Sequence, residues 1–433
     1  MGGSVRYLSV LCIGILLLAP EPGLADSPRF WSAVRFSSGF TVPVVPGVSY
    51  SHFSVGTSIG PLSIHHLRLD LSRRGVRLGV GLAHNQIISA DETVSSMARR
   101  SGAVAGVNGD YFDIGDSGMP LNIVVKDGRL LRSPSGRMAL AIGKDRSVQI
   151  ARYRWAGWVV FPATRQSYWL AGFNTGLVNN AIVALSNDRG YGAPVPGPGT
   201  RQTVVELAPE EESRGAFVVP STQAVGPFSR HKRTLYTIKR VWRQEAYHAP
   251  FPMGVILLVG RGTAAAWLLR NVTAGMRVEV NLATNPDWRG LAGVIGGGPL
   301  LVRGRQIVDD LYSPAPNERD HRHPVSAVGI SRDGRTMVLV AIDGRQPRLS
   351  IGLTRPQLAA YMRSLGAYQA MAFDSGGSVT MVVRLPGHSA PTVVNSPSDG
   401  RERRVADALL VFSASTKLRT RSAPTRVAAV EDP

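Results

Sequence analysis

The chain has 433 residues, 44% of them hydrophobic and 18% charged. That balance excludes a mainly disordered or collagen-like protein and leaves room for two or three domain-sized cores. The net charge of +19 comes from 49 basic against 30 acidic residues, in short scattered blocks such as Arg73-Arg74 and Arg401-Glu-Arg-Arg404, which excludes the continuous basic stripe of a nucleic-acid binder and leaves a local anion-attracting site as the functional reading of the charge.

Arg6, the apolar run Leu8–Ala19 and the small residues around Ala25 have the layout of a secretory signal peptide over 1–25. The run is shorter than the about 20 residues that cross a bilayer. The sequence therefore predicts an exported product, periplasmic or extracellular, with no stable membrane span after cleavage. Cys12, the one cysteine, lies inside that run, so disulfides, thiolate metal sites and cysteine nucleophiles are excluded from the mature chain.

Residues 26–60 read as a leader and first strands. From Leu62 to Leu82 the residues alternate, as in Leu67-Arg-Leu-Asp-Leu71, with the two-residue period of half-buried strands. Ser89-Ala-Asp-Glu92 has the spacing of a capping box and predicts a helix running through Met97 and Arg100 to Gly102. A short buried strand, Ala103–Val107, then enters Asn108-Gly-Asp110. The middle of the chain, about 150–250, reads as a loop-rich insertion, with a Gly/Pro loop at Tyr191–Gly199 and a polar connector from Glu206 to Arg233. Strand signals resume at Val255–Val259, Met276–Leu282 and Thr336–Ile342. Thr354-Arg-Pro-Gln357 is a second capping box with proline in the first turn, and Gly366 closes its helix. Strands at Ala370–Phe373 and Val379–Leu385 follow, and 414–433 reads as a flexible tail. These elements predict an α+β fold: a mixed sheet with a few packed helices and strand-rich N-terminal and middle regions.

Chemistry-bearing residues gather at strand exits. Asn108-Gly-Asp110, Gly296-Gly-Gly298 and Asp374-Ser-Gly-Gly-Ser378 each follow an apolar strand. Glycine there permits tight turns and close backbone approach to a ligand. Asp110, Asp113, Asp343 and Asp374 stand at the rim of predicted core, where burial shifts a carboxyl toward acid/base or nucleophilic work. The competing reading is a turn-capping aspartate, which weighs equally for Asp343 and less for Asp374. No G-x-S-x-G elbow surrounds Ser375 or Ser378, no P-loop string exists, and His321-Arg-His323 lacks a defined third ligand. Asp110, Asp113 and Asp374 would suit Ca2+ or Mg2+ if they converged, and the sequence fixes no metal.

Several stretches together resemble the phosphodiester glycosidase family, whose animal representative removes N-acetylglucosamine from a mannose phosphodiester. They are Ala105–Asp113, Gly118-Met-Pro-Leu121, Gly296–Val302, Ala327–Gly334, Asp343–Gln346, Ser350–Thr354, Leu365–Ala367, Phe373–Ser378, Asn395–Arg403 and Val405–Val411. The resemblance runs from about 60 to 413 and implies one catalytic domain over 61–413. It implies an exported hydrolase cleaving a glycosyl bond, with a glycan or sugar-phosphodiester as substrate. Asp374 or Asp343 would face the sugar, with Asp110 or Glu402 as second carboxylate. Asn108, Gly297, Gly298, Arg345, Ser375, Gly376, Gly377, Ser378 and Arg403 would bind substrate, the arginines gripping phosphate. Two departures stand out: Ser375 replaces a usual glycine, and Val325 a usual arginine. They feed an alternative reading, a catalytically silent glycan-binding or envelope-assembly protein on the same scaffold.

Overall fold

The computed structural model describes residues 35–190, 200–209, 234–243, 252–308 and 321–414. The expected signal peptide with Cys12, the loop Tyr191–Gly199, residues 210–233 of the connector and the tail beyond residue 414 lie outside the described residues.

Among the described residues the architecture is strand-dominated, 50% strand and 11% helix with three α-helices, so the expected α+β class is corrected to a predominantly all-β one. The helices are short: Val94–Ser101, Thr263–Asn271 and Arg355–Ser364. Each packs on strands without joining neighbouring parallel ones. Helix Arg355–Ser364 does connect Thr336–Ile342 to Gln369–Ala372, but Val325–Ile330 lies between these strands and pairs antiparallel with both. A local strand–helix–strand pattern thus sits inside an antiparallel sheet. Among the described strands, only Gln166–Phe173 and Ile182–Ser186 pair in parallel.

An eight-stranded sheet starts from the hairpin Arg35–Val45 and Val48–Thr57, then runs through Gly60–Asp70, Thr336–Ile342, Val325–Ile330 and Gln369–Ala372 to Leu300–Arg303 and Gln306–Ile307. A five-stranded sheet orders Thr392–Val393, Met381–Val383, Ala105–Asn108, Asp407–Ser413 and Val76–Leu82. A second one orders Val148–Arg152, Met138–Gly143, Leu291–Gly297, Val124–Lys126 and Arg129–Arg132. Residues Trp158–Asn281 contribute a closed seven-stranded barrel, sealed where Trp158–Phe161 pairs with Arg277–Asn281. Glu206 lies within the barrel strand Gln202–Pro209, so the connector begins later than its polarity suggests.

The alternation of side chains assigns each face. Leu67, Leu69, Val328 and Leu339 of the large sheet meet Val107, Met381 and Leu409 of the first small sheet and Leu140, Ile142 and Ile295 of the second in one core. The opposite face of the large sheet is covered by Leu358, Ala359 and Met362 of the last helix. Val94, Met97 and Ala98 cover the outer face of the first small sheet. Ala139, Ala141 and Val294 point the other way, into the barrel core with Val205, Leu258 and Val280. The strand Met138–Gly143 is therefore buried on both faces.

Local signals decide the helix ends. The last helix has the expected capping box, Thr354 and Gln357 satisfying each other's backbone N–H groups with proline in the first turn. The first helix starts later than expected. Thr93 caps it by accepting from Ser96 N–H, and Glu92 belongs to a short strand. Gly102 closes it at φ 73°, a left-handed conformation that favours glycine.

Leu339 is fully buried in the strand central to the large sheet. Leu339→Ala should lower stability by about 2–5 kcal/mol through lost burial and a residual cavity, whereas Thr354→Ala should cost only about 0.5–2 kcal/mol of cap energy. Urea midpoints of the two variants check the order.

Candidate functional site

Three sheets bring their strand ends to one junction. Ala105–Asn108 runs out into Gly109-Asp110. Its antiparallel neighbour begins at Asp407, with Ala408 opposite Asn108. From the large sheet, Asp374 follows Gln369–Ala372, and its N–H donates to the Gly109 carbonyl at 2.9 Å. The Asp374 carbonyl accepts from Asn108 Nδ2 at 2.9 Å and Ser326 Oγ at 3.0 Å. Ser375 N–H donates to Asp374 Oδ1 at 2.9 Å. Backbone and side chain of Asp374 are thus oriented before any substrate arrives.

Asp110 and Asp407 lie deeper. The Asp110 N–H donates to Asp407 Oδ1 at 2.7 Å, while both Asp110 oxygens and Asp407 Oδ2 lack hydrogen-bond partners in the interior. Burial is the main force on all three carboxyls. It pushes Asp110 up to about 6 against the opposing pull of Arg137 and Arg132. It pushes Asp374 up to about 6 against Ser378, the Ser375 N–H, Arg403 and Arg137. Asp407 is raised furthest from the ordinary carboxyl range, first by burial and then by the negative charge of Asp110 and Asp374. Arg132, buried beside them, is lowered to about 10 by its own desolvation. Like charges in a medium of low dielectric resist ionising together, and Asp407 carries the strongest push toward the protonated form.

Glycine makes this crowding sterically feasible. A Cβ at Gly296 would collide with the Asp110 carboxylate, and one at Gly109 with Asp407 Oδ1 and Ile295. The glycine run at 296–298 accommodates the carboxylates more than it cradles an anion: the Gly298 N–H already donates to Ala372 O at 2.8 Å, and Gly297 packs against Ala372 and Met371. Arginines ring the loop Asp374–Ser378. Arg345 lies over Gly376, its guanidinium nitrogens 3.1 Å from where a Cβ would stand. Arg403 sits against Gly377 and reaches Ser378 Oγ at 3.4 Å while pairing with Asp399. Arg137 stacks over the Tyr111 ring at 4.4 Å.

Two expected carboxylates stand elsewhere. Glu402 accepts from Ser95 N–H at 2.7 Å and Ser95 Oγ at 2.6 Å, committing it to the start of helix Val94–Ser101. Asp343 ends the strand on the far side of Val325–Ile330. Its Oδ2 accepts from His65 Nε2 at 3.1 Å, and its Oδ1 from Ser396 N–H at 2.8 Å and Asn395 Nδ2 at 3.1 Å. Val325 is buried in the core beneath the large sheet, so no cation reaches the site from that position. Among the described residues no three His, Cys, Asp or Glu are grouped to hold a metal ion.

Sequence reasoning missed Asp407, Arg132 and Arg137. Asp407 carried a usable signal: an aspartate opening the wholly buried run Ala408–Phe412 is anomalous unless paired or protonated. Arg132 and Arg137 carried none, because a chain with 49 basic residues offers many arginines beside apolar strands.

Residues 238–412 match the family model for phosphodiester glycosidase, the family that the sequence resembles. The span contains Asp343, Arg345, Asp374, Arg403 and Asp407; Asp110, Arg132 and Arg137 precede it. No curated protein matches the chain. Among solved structures, the fold is similar to an exported protein of Burkholderia pseudomallei, at TM-score 0.68 and 21% identity over 89% of this chain and 98% of that one. It is also similar to a hypothetical protein from Synechocystis, at TM-score 0.67 and 18% identity over 87% of this chain, which spans 64% of that protein. The zebrafish N-acetylglucosamine-1-phosphodiester alpha-N-acetylglucosaminidase catalytic domain, auto-inhibited by its pro-peptide, superposes loosely, at TM-score 0.43 and 16% identity over 87% of this chain and 89% of that one.

Below the unfolded-state pKa, about 3.9, Asp407 is neutral whether folded or unfolded. At higher pH the fold must keep its carboxyl protonated while the unfolded chain ionises, so stability falls as pH rises toward the raised folded value. Asp407→Asn should therefore leave stability unchanged near pH 3 and raise it at pH 8. Thermal melts at the two pH values check this. Gly296→Ala should act in the opposite sense, destabilising by about 1–3 kcal/mol through overpacking against Asp110.

Proposed function

We propose that the protein is an exported glycosidase-type hydrolase that cleaves the glycosyl bond of a sugar-1-phosphodiester in a cell-surface or extracellular glycan. The observation that carries this reading is the oriented Asp374 carboxyl on a loop ringed by Arg137, Arg345 and Arg403. The match to the phosphodiester glycosidase family model over 238–412 supports the reaction class. The signal-like N-terminus supports export, and among the described residues no helix is long and apolar enough to cross a membrane. We take the barrel within 158–281 as an insertion in the catalytic scaffold.

Breaking the C1–O bond moves its electron pair onto a phosphate oxygen and leaves oxocarbenium character on the sugar. Asp374, as the carboxylate, stabilises that positive centre by charge or by covalent capture. Phosphate leaves without strong protonation, so the arginines carry the other half of the work by neutralising its developing charge. The N–H groups of Gly298 and Gly376 already donate to Ala372 O and Pro324 O, which supports assigning this contact to guanidinium groups. Asp110 and Asp407 lie behind, where their negative charge would oppose ionisation of Asp374. Ser375 contributes its backbone N–H to Asp374, a contact any residue there supplies, so its departure from glycine leaves the carboxylate supported.

Asp374→Asn should lower release of free sugar from a sugar-1-phosphodiester on the order of a thousandfold with the thermal melt preserved. Retained glycan binding by the unmodified protein, with no release at all, would sink the enzyme reading in favour of the silent scaffold protein. Because the reaction uses ionised Asp374, kcat/KM should rise with pH through about 6. Arg137 holds the Asp374 and Asp110 values down. Arg137→Gln should therefore move that acidic limb upward in pH and cost roughly tenfold to a hundredfold in kcat/KM, the worth of one charged contact; a pH–rate profile reads both.

A further inference from the structure

A second concavity of about 430 Å3 opens beside the arginine-ringed loop. Its floor is a buried chain of hydrogen bonds. Asp343 accepts from His65 Nε2, which leaves His65 Nδ1 to accept from the Tyr50 hydroxyl at 2.8 Å. Ser63 lies 3.1 Å from both His65 Nε2 and His52 Nε2, and the His52 ring stacks on His65 at 4.6 Å between centroids. The contact with Ser63 occupies His52 Nε2 and leaves Nδ1 to meet a ligand hydroxyl, which can donate or accept, and burial together with the neighbouring His65 lowers the His52 pKa, favouring the neutral ring. The wall continues with half-buried Asn395 and Ser396. At the mouth stand Phe40, 49% exposed, and Leu349, 41% exposed, two of the few large apolar side chains left open to solvent. Phe40 meets Tyr50 and His52 edge-on at 5.9 and 5.8 Å.

The lining holds no arginine and no lysine, although basic residues outnumber acidic ones 49 to 30 in the chain. An anion entering there would meet the Asp343 carboxylate with no arginine or lysine among the described lining residues to offset it. A wholly apolar ligand would strand the polar atoms of the wall. A pyranose suits both: one face of polarised C–H groups that packs on an aromatic ring, and a rim of hydroxyls, each donor and acceptor, for His52 and Ser396. The pocket also adjoins the catalytic loop. Asn395 Nδ2 donates to Asp343 Oδ1 and to Val379 O at 3.1 Å each, just past Ser378. Arg345, two residues beyond Asp343, lies over Gly376.

We propose that this pocket is a neutral-sugar subsite, so that the substrate carries at least one uncharged saccharide unit alongside the phosphodiester that the arginines grip. The substrate part of the inference rests on the function proposed above; the subsite itself does not. His52 and Phe40 contact the sugar, while Tyr50, His65 and Asp343 are positioning residues that fix His52 from below.

The test titrates the full chain with a panel of neutral disaccharides (cellobiose, maltose, chitobiose and lactose) by calorimetry, in wild type, Phe40→Ala, His52→Ala and Asp374→Asn. At least one disaccharide should bind, about tenfold more weakly in the first two variants and unchanged in the third. Thermal melts establish that each variant is folded. In parallel, kcat/KM is measured on a monosaccharide-1-phosphodiester and on one extended by a neutral sugar. Phe40→Ala should lower the second value about tenfold and leave the first unchanged. No disaccharide binding, equal binding in Phe40→Ala and His52→Ala, or tighter binding of inorganic phosphate that those variants abolish, would each overturn the subsite. Turnover of the monosaccharide compound would then still uphold the hydrolase reading. Disaccharide binding that depends on Phe40, with no turnover of either compound, would overturn the hydrolase reading and leave the subsite standing.

Discussion

Asp110 and Asp407 share a hydrogen bond in which one residue's backbone serves the other's carboxylate, and both side chains are buried. Much of the surrounding architecture accommodates that contact. Two neighbouring positions, 109 and 296, have no space for a Cβ. A buried arginine, Arg132, stands close enough to moderate the field and is itself desolvated. A group in this state is costly to the fold, of the order of a pKa unit's free energy or more. Proteins retain such strain most often where function draws on it. Burial raises Asp374, the one carboxyl of the cluster that is partly accessible, to about 6, where a modest change of pH alters its charge.

Part of this centre was readable in the linear chain. Asp374 announced itself in a glycine-rich strand exit and Arg345 beside Asp343-Gly344, while Arg403 came from the family resemblance; the folded chain gathers them around one loop. Glu402 looked equally promising from its neighbours, yet its carboxylate serves a helix start 307 residues away along the chain. Spacing cannot foresee such a long-range cap. Asp343 read equally as a turn residue and as a functional carboxylate; its partner His65, and Tyr50 behind it, come from the strands Gly60–Asp70 and Val48–Thr57, where period-two alternation reveals burial without revealing who faces whom. The fold class failed for a related reason. Strands and helices were mostly placed well, while the order of strands in a sheet, here Val325–Ile330 between two strands joined by a helix, depends on pairings that no local pattern encodes.

The distribution of charge follows the same geometry. The large sheet ends in two adjoining environments separated by the width of one strand. On one side guanidinium groups surround a carboxyl-bearing loop; on the other a histidine–carboxylate chain underlies a neutral, aromatic-lipped hollow. The positive groups are thus local to the loop, as the scattered basic blocks of the sequence suggested.

The strand Met138–Gly143 has a further consequence. Its odd and even residues serve different cores, Ala139 and Ala141 toward the barrel, Leu140 and Ile142 toward the carboxylate junction. Asn122 next to that junction donates from its side chain to the Met138 carbonyl at 2.9 Å. The barrel is therefore not a detachable cassette. Excising it would unroof small apolar side chains packed to zero clearance and loosen the very ribbon against which the acidic centre is registered, so trimming the protein for engineering purposes would have to keep that lid or replace it with an equally dry surface.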